Sequence, residues 1–287
     1  MNENFDSIFT EEKTTPAPAE TQTAPFSKEE YAAEKNAERE AVYDLANKTT
    51  QEVATNGQTF KNYLSTLSRF ELYSATNTLL IFAQRPNATR LRDYDTWKEA
   101  GTPVWSNQFN NGVSILKRQD YRNDDGSFGY NWNVKKLYDV SQTKANPEPS
   151  KTPAIKALCQ ALVKSSKAKI QLVDELSGDA KGTLGAQYLP GAEKIEIVKG
   201  LDGQSIFRCL SQEVACANNE GISNFTAYAA SFALCEKYGI DTEGYDFSKA
   251  PEYFSTFEDK EVRREIGAVR DTVADIASSI NKNGIIP

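Results

Sequence analysis

The chain has 287 residues with 33 basic and 40 acidic side chains, a net charge of −7, four cysteines and no histidine. Without imidazole, no Ser–His or Cys–His nucleophile can be assembled, and the acid excess argues against nucleic-acid binding by the surface as a whole. The length allows two modest domains with cores of their own. The charge is uneven: net −6 over residues 1–40, +3 over 41–145 and −4 over 146–287, so an anionic partner is expected at the middle segment.

In chain order, residues 1–26 are Pro-, Thr- and Glu-rich and are expected to be a disordered leader, with no signal-peptide pattern. Ser27 and Glu30 form a capping-box pattern that opens a charged helix running to about Asn56-Gly57. A second helix places Phe60, Tyr63, Leu64, Leu67 and Phe70 on one face, a third covers SATNTLLIFAQRP up to Pro86, and DTWKEAG is a short helix stopped by Gly101. GVSILKR and YNWNVKKLYDV then read as strands of a hairpin around an Asp-Gly step, with Asp124 and Asp125 as turn formers. KANPEPSKTP (144–153) is the expected domain boundary. Beyond it the pattern gives the helix IKALCQALVKS, the strand KIQLVDE and a strand pair around AQYLPGAEKIEIVKG. Three helices follow: 203–219, NFTAYAASFALCEKYG, and Asp259 to about Asn281, the last read as a surface helix with an Asp259–Arg263 pair. Cys159, Cys209, Cys216 and Cys235 are widely spaced and read as reduced, mostly buried thiols of a cytoplasmic protein. No apolar run approaches the roughly 20 residues that span a bilayer.

Residues 69–98 interleave Arg69, Arg85, Arg90, Arg92 and Lys98 with Tyr73, Phe82, Tyr94 and Trp97, and Trp105, Lys117, Arg118 and Arg122 extend the pattern onto the hairpin. Guanidinium groups grip phosphates and aromatic faces stack unpaired bases, although the same residues also serve as core and solvated face. The block YSATNTLLIFAQRPNATRLRDYDTWKEAG resembles the N-terminal domain of the ArdC family of antirestriction proteins. The likeness is carried by Tyr73, Ser74, Asn77, Leu79, Leu80, Ile81, Gln84, Pro86, Ala88, Thr89, Trp97, Lys98 and Gly101, and by YDVSQT at 138–143. It covers roughly residues 40–145. The resemblance implies a single-stranded-DNA-binding domain of a plasmid-borne or related mobile-element protein; taken with the arginine–aromatic pattern, it gives expected contacts at Arg69, Tyr73, Asn77, Arg85, Arg90, Arg92, Tyr94, Trp97, Lys98, Trp105, Lys117 and Arg118. The family's turn after the glycine is rich in lysine; here VWSNQFNNG (104–112) has none, which leaves Trp105 and Phe109 to act by stacking.

The resemblance also implies a second, zincin-like metallopeptidase domain. Its His-Glu-x-x-His frame falls on Gln212-Glu213-Val214-Ala215-Cys216: the general-base position is filled and both ligand positions have changed. The next helix has no acid between Glu220 and Glu236, so Thr226 or Tyr228 stands at the third ligand position. Catalytic zinc needs three protein ligands; one thiolate and one amide do not provide them, and Cys209 lies about 10 Å from Cys216 on a helix. The expected fold is α+β, N-terminal helices on a small antiparallel sheet (27–145), a linker (146–153), then a zincin-like α+β domain (154–287). The expected function is non-catalytic binding of single-stranded DNA, with no metal, no cofactor and no membrane partner. The alternatives are a protein–protein interaction module without DNA binding, or a metalloprotease with unusual ligands.

Overall fold

A computed structural model describes residues 27–123, 125–146, 152–177 and 185–284. The expected leader, and most of the expected linker, lie outside the described residues.

Ser27 and Glu30 close the capping box: Glu30 N–H donates to Ser27 Oγ at 3.1 Å and Ser27 N–H to Glu30 Oε2 at 2.9 Å. They open helix α1 (Lys28–Thr55). Asn56 caps α2 (Gly57–Phe70), its Oδ1 accepting Thr59 N–H at 2.9 Å. Residue 57 must be glycine, because a Cβ there would stand 2.1 Å from the Phe247 carbonyl oxygen. The whole apolar stripe of α2 is buried. Helix α3 (Ala75–Gln84) is capped by Ser74 and α4 (Tyr94–Glu99) by Asp93.

The first sheet is an antiparallel hairpin, β2 (Val113–Arg122) with β3 (Phe128–Asp139), to which the two-residue β1 (Leu91–Arg92) adds in the order β1-β3-β2. The register runs from Val113 opposite Leu137 to Arg122 opposite Phe128. Strand β1 is too short to show a periodicity, and the sequence gives no sign of it. It is locked by Asp139, whose Oδ1 accepts the backbone N–H groups of Thr89 and Arg90 at 2.8 and 2.9 Å.

Strand β2 is a sheet edge, and helix α3 closes its inner half. Asn77 donates to Leu116 O at 2.8 Å and accepts from Leu116 N–H at 2.9 Å. Gln84, two turns on, donates to Ser114 O and accepts from Ser114 N–H, both at 2.9 Å. The two carboxamides thus take the place of a neighbouring strand.

Past the linker come α5 (Ile155–Ser165), β4 (Lys169–Val173), β5 (Ala186–Leu189), β6 (Lys194–Val198), α6 (Gly203–Asn218), α7 (Asn224–Tyr238), α8 (Ala250–Phe254) and α9 (Asp259–Lys282). Strand β6 is central, parallel to β4 and antiparallel to β5. The fold is α+β, with a small sheet in each half. The largest buried cluster joins the two halves: Phe60 of α2 packs at 5.3–5.5 Å on Phe225, Phe247 and Phe254. A largely buried ion pair, Lys237 to Glu71 at 2.8 Å, adds to the same junction. Helix α9 is not a plain surface helix. Its Val262, Ile266, Val269, Val273 and Ile280 belong to this core, and Arg263, expected to pair with Asp259, donates instead to Asn47 Oδ1 at 2.8 Å. No described helix is long and apolar enough to cross a membrane.

Replacing Asn77 with Ala leaves the Leu116 N–H and C=O buried without partners, at about 1–3 kcal/mol each. Chemical denaturation is expected to show a loss of about 2–6 kcal/mol for Asn77→Ala, against under about 0.5 kcal/mol for the exposed Arg118→Ala.

Candidate functional site

The residues expected to contact DNA divide by environment. Asn77 is buried and committed to β2. Trp97 is buried, and its Nε1 donates to Tyr138 O at 2.8 Å. Arg69 donates to the backbone oxygens of Ala88 and Pro86, holding the loop before β1. Tyr73 is half-buried with its edge toward Phe70, and Arg85 is half-buried. Arg90 and Arg92 both converge on Trp97, their guanidinium carbons 5.2 and 5.1 Å from the ring centroid. Arg92, Tyr94, Lys98, Trp105, Lys117 and Arg118 are exposed.

The lysine-free turn is where the exposed rings gather. A 3-10 turn over Ser106–Gln108 brings Phe109 edge-on to Tyr94 at 5.5 Å. The Phe109 carbonyl accepts from Tyr138 Oη at 2.8 Å, which fixes the turn to the sheet. Lys144 Nζ lies 5.4 Å from the Trp105 ring, so a cation from the far side of β3 stands beside the turn that lacks its own.

The outer hairpin carries a second aromatic set, which the reading of arginines and tryptophans missed. Opposed residues in an antiparallel pair share a face, so the register puts Arg118, Asp120, Arg122, Phe128, Tyr130 and Trp132 on one side. The alternation FGYNWN was the available signal. On the opposite face the Tyr121 ring lies over Gly129, where a Cβ would meet it at 2.6 Å.

Helix α6 puts Glu213 and Cys216, one turn apart, on the wall of a cleft of about 620 Å³ closed by Tyr188, Pro190 and Ile222. Gln212 is not among the residues lining it, in keeping with the roughly 100° step between neighbours on a helix. Glu213 Oε2 accepts the backbone N–H of Tyr188, on edge strand β5, at 2.8 Å. Burial raises the Glu213 carboxyl above the ordinary carboxylate value, and the Tyr188 hydrogen bond opposes the rise. Burial also pushes the thiols of Cys209, Cys216 and Cys235 up to about 12, so none is a ready thiolate.

The donor set does not fit the metal that a His-Glu-x-x-His site holds. The chain has no imidazole, and among the described residues no three His, Cys, Asp or Glu side chains are grouped to hold an ion. Thr226, one of the two residues expected at a third ligand position, is buried and turned to α9, where Glu265 Oε1 accepts from the hydroxyls of Thr226, Ser223 (3.1 Å) and Tyr253 (2.9 Å). Glu265, 39 residues from Thr226, was not legible as part of this site.

A carboxyl whose pKa is raised by folding contributes stability that is present below its unfolded value, near 4.5. That contribution is lost as pH rises through the folded value. Glu213→Gln, fixed neutral, is therefore expected to melt at or above the wild-type temperature at about pH 8, with the difference closing at about pH 4. A lower melting temperature at the alkaline end would refute it.

No family model matches the chain, and no curated protein matches it. Among solved structures, the chain is similar to the metal-free crystal structure of antirestriction ArdC protein from the R388 plasmid. That match has 12% identity and a TM-score of 0.48, over 73% of this chain and 86% of that one. The Mn(II)-bound structure of the same plasmid protein is similar at 16% identity and a TM-score of 0.48, over 74% of this chain and 84% of that one.

Proposed function

We propose that the protein binds single-stranded DNA without catalysis, as a cytoplasmic antirestriction or strand-protection factor of a mobile element. In this reading residues 27–145 do the binding, and the α6 cleft is the remnant of a metallopeptidase site. The observation that carries it is a set of solvent-exposed rings, Tyr94 in edge contact with Phe109 and Trp105 beside Lys144, with Arg92 and Lys98 exposed on the same stretch of chain as Tyr94. Exposed rings beside cations suit unpaired bases on a phosphate backbone. The sequence block that resembles ArdC builds the scaffold under this surface, and the changed ligand positions around Glu213 support the loss of hydrolysis.

The test is a fluorescence-anisotropy titration with a labelled oligonucleotide at about 50 mM salt. Micromolar binding is expected, and its absence sinks the reading. Base stacking contributes roughly 1–3 kcal/mol per ring, so Trp105→Ala should weaken binding about tenfold or more. Removing one phosphate contact with Arg92→Ala should reduce the slope of log affinity against log salt by about 0.7.

A second reading, a protein-interaction module, is favoured by one observation: a largely apolar groove along α5, lined by Ile155, Cys159, Val163 and Ile206 and flanked by Lys156 and Lys164. A defined protein recovered from nuclease-treated extract by the wild type, and lost with Val163→Glu, would support it.

A further inference from the structure

The outer half of the β2–β3 hairpin has the composition of neither a core nor a common protein interface. Its inner part is covered on both faces: Leu116 and Val134 pack under α1 with Val42 and Ala46, while Val113, Ile115 and Leu137 pack with Phe70 and Ile81. From Lys117 to Asn133 there is no aliphatic side chain. Yet that stretch holds Phe128, Tyr130 and Trp132, with relative exposures of 82, 56 and 39%. Arg122 sits 5.8 Å from the Phe128 ring centroid and Arg118 4.4 Å from that of Tyr130. One carboxylate, Asp120, shares the face and is held by Arg118 at 2.7 Å.

We propose that this face is a ladder for a run of unpaired bases of a single-stranded nucleic acid, a second contact region beyond the Trp105–Phe109 turn. The inference rests on the single-strand-binding reading above. Alternate residues on a strand stand about 6.8 Å apart, twice the 3.4 Å rise between stacked bases in a duplex. The three rings therefore match bases drawn apart along an extended strand, not bases stacked in a helix. Phe128 and Tyr130 each have a guanidinium beside the ring and stay more than half exposed, so a base can stack where the cation also reaches its phosphate. An interface with protein draws on aliphatic as well as aromatic side chains, and the ladder supplies none. The opposite face of the outer hairpin, with Lys117, Gln119, Asn131 and Asn133 and the single ring of Tyr121 folded over Gly129, is mostly polar and gives the ribbon a solvated back. The hydrogen bonds of Asn77 and Gln84 hold the inner hairpin, and Arg39 of α1 donates to Trp132 O at 3.3 Å, so the hairpin projects beyond its anchors from the Arg118–Trp132 pair toward the turn.

The experiment uses the full chain and a labelled oligothymidylate of about 20 nucleotides, with a duplex of the same length as competitor. The triple variant Phe128→Ser, Tyr130→Ser, Trp132→Ser is expected to lose at least about a hundredfold in affinity, with far-ultraviolet circular dichroism unchanged. Tyr130→Ser alone should lose about tenfold. Asp120→Asn frees Arg118 from its carboxylate and should tighten binding, a gain that no damage to the fold can imitate. If the wild type binds and the triple variant binds equally well, the ladder is refuted and the broader reading stands. If the wild type binds no oligonucleotide, both fail. Equal affinity for duplex refutes base stacking. If the variant abolishes self-association in sedimentation while DNA binding is untouched, the face joins copies of the chain, and the proposal is overturned.

Discussion

Two side-chain carboxamides hold the N-terminal half together. A hairpin whose outer strand is a sheet edge needs some group to satisfy the inward part of that edge, and a buried N–H or C=O left open costs about 1–3 kcal/mol. Asn77 and Gln84 meet this need from one helix face, each pairing with both polar groups of a single strand residue. Because the bonds run to the backbone, they fix register and position while leaving the β2 side chains free. Leu116 and Ile115 can then face opposite layers, and the outer half of the hairpin is at liberty to carry guanidinium groups on β2 and rings on β3. The family-like block Tyr-Ser-x-x-Asn…Gln-x-Pro reads, in this light, as a fastening between helix and hairpin. Trp97, Arg69 and Asp139 fasten neighbouring loops through backbone partners in the same way.

The second half has a comparable hydrogen bond: Glu213, on helix α6, has its Oε2 occupied by the N–H of the edge strand β5. A carboxyl raised by burial and committed to a backbone group is a structural acceptor. The next helix repeats the pattern: Thr226 donates to Glu265 and ties α7 to α9 at the N-terminal turn of α7, where a negative charge is favourable.

The two halves also share apolar surface. Phe60 stacks among Phe225, Phe247 and Phe254, and Glu71 meets Lys237 in a partly desolvated pair. The candidate binding surfaces at 94–109 and on the outer hairpin therefore sit on a base braced by α7 and α9.

By itself the sequence determined the helices, because caps and 3.6-residue periodicity are local: Ser27–Glu30, Asn56 and the Phe60–Phe70 stripe act within a few residues of one another. It determined the hairpin from its Asp-Gly step, and the missing imidazoles from composition alone. Only the tertiary structure decided which members of the arginine–aromatic block are spent inside. Asn77 finds Leu116 39 residues away and Trp97 finds Tyr138 41 residues away, and no periodicity carries such a pairing. The parallel match of β4 with β6, the two-residue β1, and Glu265 at Thr226 were hidden for the same reason. Local sequence sets the conformation of a segment, whereas burial and hydrogen-bond partners are set by which distant segments the shared core brings alongside it.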